Sequence, residues 1–257
     1  MRKYGITAVA LVAILAFTAV ALAAQTNKYG VTAKTSPTNA GTKKKPAPLG
    51  LNFDYTVDEV AGQRPALVTS YKIHFGGLAV NTDLFKTCAA ADITANQSDA
   101  DCPPDSLVGI GNVENAAGST TNPADRSVAC HLDLKIYNSG KNKAALFLKG
   151  GPNAANPAKA CPLTIAEAIP AKFVKDSKGT ALVFTVNAHL LNPAPGVDNA
   201  VIQVASSIKK KIKTVKGVKH GFFESTGGCT GGKRTVTVTF TTAAGNGVQS
   251  ATTPCKK

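Results

Sequence analysis

KRTVTVTFTT, residues 233–242, puts Val236, Val238 and Phe240 on one side of an extended chain and threonines on the other. Alternation with a period of two matches a strand that buries one face, whereas a helix would scatter these residues around its axis. The pattern recurs along the chain. Leu51, Phe53, Tyr55 and Val57 alternate with polar partners, as do Leu67, Thr69, Tyr71, Ile73 and Phe75 before Gly76-Gly77. HLDLKIYN (131–138) and KAALFLKG (143–150) flank the turn Asn138-Ser139-Gly140-Lys141 and read as a hairpin. A second hairpin is expected around Asp176-Ser177-Lys178-Gly179, and KRTVTVTFTT reads as the last strand. Fourteen prolines and 23 glycines suit that many turns. The expected fold is all-β, an antiparallel β-sandwich or jelly-roll-like domain with little helix.

Residues 200–218 resist the rule. Val201, Val204, Ile208, Ile212 and Val215 recur at helical steps, yet Ile202, Val204, Ile208 and Ile212 also share strand parity. The abundance of β-branched residues favours strand.

The chain opens with a secretory pattern: Arg2 and Lys3, an apolar run from Ile6 to Val20, then Ala21-Leu22-Ala23. Residues 1–23 therefore read as a signal peptide cut after Ala23, the alternative being an uncleaved membrane anchor. Residues 24–48 form an N-terminal arm in which Tyr29 to Thr35 allow a first short strand, and 49–257 form a single β-sandwich domain. Six cysteines, Cys88, Cys102, Cys130, Cys161, Cys229 and Cys255, follow in what is then an exported chain. An even count outside the cytosol reads as disulfides. Proximity pairs Cys88 with Cys102, Cys130 with Cys161 and Cys229 with Cys255. No Cys-x-x-Cys suggests a redox pair or a metal cluster.

Motifs for chemistry are sparse. GGCTGGKR (227–234) imitates a phosphate-binding loop, but Arg234 stands where Ser or Thr must hold magnesium, and a strand follows instead of a helix. His74, His131, His189 and His220 are isolated from one another, so no metal or other cofactor is expected. Asp92, Asp99, Asp101 and Asp105 around Cys102 do not follow the calcium-loop spacing and read as a solvated loop. Glu167, Glu224, Asp54 and Asp133 are available as carboxylates for glycoside hydrolysis. The chain has no tryptophan to line a sugar cleft, and few rings on which nucleic-acid bases could stack.

That leaves the charge. The formal balance is +14, with lysines concentrated in IKKKIKTVKGVKHG (208–221) and a second cluster at Lys43-Lys44-Lys45. As a strand, 208–214 would project Lys209, Lys211 and Lys213 from one face. With Lys216, Lys219 and His220 they would form a stripe for a polyanion, by contacts that are electrostatic and salt-dependent. The plainer reading is that these lysines keep an exposed strand soluble.

The TSPTNAGTKKKPAPLGLNFDYTV opening, the FESTGGCTGGKRTVTVTF segment and the final cysteine resemble uncharacterised exported proteins of actinobacteria, especially of deep-branching high-GC soil lineages. That resemblance implies a disulfide-bonded β-rich fold and transfers no active site. The expectation is a non-enzymatic protein, secreted or associated with the cell surface. Its lysine-rich face would bind an anionic cell-wall polymer, an acidic glycan or a partner protein. It would read no nucleic-acid sequence and touch membrane only through an uncleaved signal segment. The alternative is an extracellular hydrolase acting on wall or environmental polysaccharide.

Overall fold

A computed structural model describes residues 25–152, 156 and 159–256. The expected signal peptide lies outside the described residues. Among the described residues fifteen strands follow one another: β1 (Asn27–Ser36), β2 (Ala47–Glu59), β3 (Val68–Gly76), β4 (Leu78–Val80), β5 (Leu107–Ser119), β6 (Val128–Asn138), β7 (Lys143–Gly150), β8 (Ile165–Lys175), β9 (Gly179–Thr185), β10 (Val197–Ile208), β11 (Ile212–Val215), β12 (Val218–Gly221), β13 (Phe223–Ser225), β14 (Lys233–Thr242) and β15 (Gly245–Pro254). Both expected hairpins form, as β6–β7 and β8–β9. The strand allowed near Tyr29 forms as β1 and pairs with β2 along its whole length. KRTVTVTFTT is not the last strand, because β15 returns beside it.

All but β11 and β12 belong to one antiparallel sheet, ordered β15-β14-β3-β9-β8-β7-β6-β5-β10-β2-β13-β4, with β1 also on β2. The sheet doubles over so that its halves face each other, as in a sandwich. The rings show this. Phe53 and Tyr55 of β2 meet Phe75 and Tyr71 of β3 at 5.9 and 5.4 Å between centroids, although six strands separate β2 from β3 in the sheet. Tyr55 also meets Phe240 of β14 at 5.5 Å. The two ends of the sheet come together where Tyr29 of β1 stacks on Phe240 at 4.2 Å. That ring lies over Gly247 of β15 so closely that a Cβ there would stand 2.0 Å from it. The alternation read from the sequence is thus the inner face: Val236, Val238 and Phe240 are all fully buried. Each such side chain contributes roughly 1.5–3 kcal/mol by leaving water.

Part of the outer face is also covered. Within the connection from β4 to β5, α1 (Ala90–Asn96) sets Ile93 on Tyr137, Ala145, Phe147 and Ala168. The expected solvated loop is thus anchored through Ile93, while Asp92, Asp101 and Asp105 are exposed as expected. Disulfides join Cys88 to Cys102, Cys130 to Cys161 and Cys229 to Cys255, as proximity suggested. Three such bonds fit an oxidising environment outside the cytosol. Among the described residues no helix is long and apolar enough to cross a membrane.

Antiparallel pairing sorts the connections into two ends. At one end β2 and β5 begin and β10 finishes, since Ile208 lies opposite both Leu51 and Gly109. At the other, β10 begins just after α2 (Ala188–Leu191). There Arg64, 1 % exposed, donates to the carbonyls of Asp125 (2.5 Å) and Ser119 (2.7 Å) and pairs with Asp198 at 3.3 Å. One guanidinium thereby ties three connections together.

Candidate polyanion-binding site

The lysine-rich segment is not one strand. β10 ends at Ile208, residues 209–211 leave the sheet, and β11 and β12 form a separate two-stranded hairpin. Lys216 and Gly217 make its turn with φ of 49° and 78°, the left-handed pair that a tight two-residue hairpin requires. This resolves the ambiguity of 200–218 as strand followed by hairpin. The helical steps from Val201 to Val215 merely span the break.

The single-face stripe is corrected accordingly. Lys211 is turned inward: its ammonium donates to the carbonyls of Asp105 and Leu107, the latter at 3.0 Å, and lies 3.9 Å from the Asp105 carboxylate. Burial pushes its pKa down against the pull of Asp105. It fastens the base of the hairpin to the segment before β5. Lys213 lies directly opposite His220, and Thr214 opposite Lys219. Directly opposed residues share a face and adjacent ones do not, so Lys213 and His220 occupy one face and Lys219 the other. His220 approaches Glu224 at 3.5 Å, while the carboxylate of Glu224 accepts the Gly221 amide. Lys209, Lys210, Lys213, Lys216 and Lys219 are exposed. So are Ile212 and Val218, apolar residues that a hairpin packed into the sheet would bury.

The fold adds something the segment alone did not carry. Lys43, Lys44 and Lys45 sit in the connection that feeds β2, held by a turn in which the Lys45 amide bonds to Thr42. β2 begins at the end where β10 finishes, so this triplet and the hairpin leave the sheet at the same end. Lys256, bridged to Asn39, lies there too. The triplet and Lys256 are exposed.

The remaining candidates have ordinary partners. Each histidine, isolated in sequence, meets a carboxylate: His74 meets Asp176 (3.1 Å), His131 meets Glu114 (2.6 Å), His189 meets Glu167, and His220 meets Glu224. Among the described residues no group of three or more His, Cys, Asp or Glu is arranged to hold a metal ion. Of the loop aspartates, Asp99 accepts from Lys135 (2.5 Å) and Tyr137. Burial opposes ionisation of Asp99, but those two bonds outweigh it and hold its carboxyl below the usual range. Of the carboxylates considered for hydrolysis, Glu167 accepts from Asn187 and Asp54 from Thr32 (3.1 Å). Asp133 stands 3.7 Å from His131. In GGCTGGKR, Gly227, Gly228, Gly231 and Gly232 all take positive φ and lead directly into β14, with no helix to receive a phosphate. Arg234 is fully buried beneath this loop.

Searches for a matching protein family, curated protein or solved structure returned none.

Proposed function

We propose that this is an exported, non-enzymatic protein that adheres to an anionic glycopolymer, such as a wall polymer or an acidic glycan, through its lysine end. The supporting observation is that the Lys43–Lys45 loop and the β11–β12 hairpin leave the doubled sheet at the same end. Their exposed ammonium groups belong to two independent segments. A strand whose lysines serve only solubility needs charge along its own edge and does not need a second basic loop at the same end of the sheet. Contacts to a polyanion of this kind add up through released counterions and weaken steeply with salt.

Heparin chromatography of the oxidised protein under a salt gradient tests the reading. Replacing Lys213, Lys216 and Lys219 with Gln lowers the eluting salt, and so does replacing Lys43, Lys44 and Lys45; the combined variant elutes earliest. Elution of all three with the wild type would remove the site.

A further inference from the structure

We propose that the interior of the doubled sheet is a second binding site, for one small, mostly apolar molecule of about phenol size that carries a single hydroxyl. The core is not filled. A cavity of about 100 Å3 lies between the two halves, walled by inward-facing side chains of β2, β3 and β5 to β10. A dry cavity of roughly 150 Å3 is known to hold benzene, so this one suits a single ring or a short alkyl chain.

Its wall is apolar except at a few points. Asn115 and Ser206 spend their donors on the carbonyls of Cys130 (3.2 Å) and Phe53 (2.8 Å). Asn199 donates to Leu190 O at 2.8 Å, and its Oδ1 is buried without a partner among the described residues. The Tyr71 hydroxyl, on a side chain only 2 % exposed, is within reach of the Tyr55 hydroxyl but makes no well-formed hydrogen bond among the described residues, so Asn199 is the clearer unmet acceptor. Native interiors rarely strand such groups, and a ligand hydroxyl would satisfy one of them.

The cavity also has a direction. Its wall is buried around Leu51, Phe75, Ile136 and Ile208, toward the lysine end. Ile165, Val186, Asn199 and Val201 are partly exposed, and all four lie toward α2. Leu190 and Leu191 of α2 line the cavity there, and this four-residue helix is fastened by Asn187 and His189 to Glu167, which shares the inner face of β8 with Ile165 and Ile169. The way in is therefore at the end opposite the lysines, and this site stands or falls independently of the polyanion reading.

Phenol and toluene titrated into isotope-labelled oxidised protein and followed by NMR test the proposal. Expected are saturable shifts with Kd of about 0.1–1 mM for phenol and NOEs from its ring protons to the methyl groups of Leu146, Leu182 and Val204. Val204→Phe, which fills the cavity, should abolish both. Asn199→Leu should cut the preference for phenol over toluene by about tenfold, the worth of one buried hydrogen bond. If Val204→Phe does not fold, the wild-type NOEs decide the location. The proposal is overturned by absence of saturable binding, by absence of those NOEs, or by binding that a folded Val204→Phe leaves intact. A phenol preference unchanged by Asn199→Leu overturns the part assigned to the hydroxyl.

Discussion

Arg64 and Arg234 are buried to the same degree, 1 % and 0 % exposed, yet replacing each by Met should have very unequal consequences. Arg64 spends both terminal nitrogens on two carbonyls and the Asp198 carboxylate. Removing it strands those carbonyls, and breaking a buried pair costs about 3–5 kcal/mol. Asp198 is 23 % exposed and regains some hydration, so the lower figure of about 3 kcal/mol applies. For a chain of this size that lowers Tm by about 6–12 °C. Among the described residues Arg234 bonds only Ser225 Oγ and, at 3.3 Å, Gly227 O; its Nε, like that of Arg64, has no partner there, and neither has its Nη1. Burial alone pushes its pKa down, with no carboxylate to oppose it. A methionine of similar length keeps the packing and removes the cost of burying a charge, so Arg234→Met should change stability by less than about 1 kcal/mol in either direction. Urea denaturation of both variants, disulfides intact, gives the comparison. Equal losses would refute the reasoning, because the partners of the buried charge would then not set its worth.

Other expectations follow from the same structure. The Asp125 carboxyl is held down to about 2 by the Ser127 hydroxyl and the amides of Ser119 and Ser127. A depressed carboxyl stabilises above its unfolded pKa, so the 119–127 connection should hold at neutral pH and loosen as pH falls from about 4 through about 2; NMR titration of the Ser119 and Ser127 amides would show it, and amides indifferent to that range would contradict it. Replacing Cys130 and Cys161 together by Ala should cost about 3–4 kcal/mol by freeing a long loop in the unfolded chain, read from the shift in urea midpoint. Lys211→Met should lower stability while leaving the salt needed for heparin elution close to wild type, because its ammonium is committed to the Asp105 and Leu107 carbonyls.

The parts of the fold legible in sequence were those governed by near neighbours. Alternation marks one buried face, and it located β2, β3, β6 and β14, while the turn at 138–141 located β7. The cysteine pairs closed between segments already close along the chain. β15 escaped because its face is mostly exposed: GNGVQSATTP carries no apolar alternation, and Val248 is 61 % exposed. The lysine segment misled because Ile208 and Ile212 keep strand parity across a break. The Lys216-Gly217 pair was the local sign of a tight turn. The histidine–carboxylate pairs were not legible, since Glu114 meets His131 through the β5–β6 register. Nor was the placement of Lys43–Lys45 at the same end of the sheet as the hairpin, which depends on β10 pairing with β2 across a long stretch of chain.

The central claim, that the lysine end holds a polyanion, is tested most directly by the salt dependence of affinity for a heparin fragment. The account predicts that the logarithm of the binding constant falls linearly with the logarithm of salt concentration. It also predicts a distinctly shallower slope once Lys43–Lys45 and the three hairpin lysines are replaced by Gln, each lost contact removing roughly one released counterion. An identical slope for wild type and the six-fold variant would contradict it.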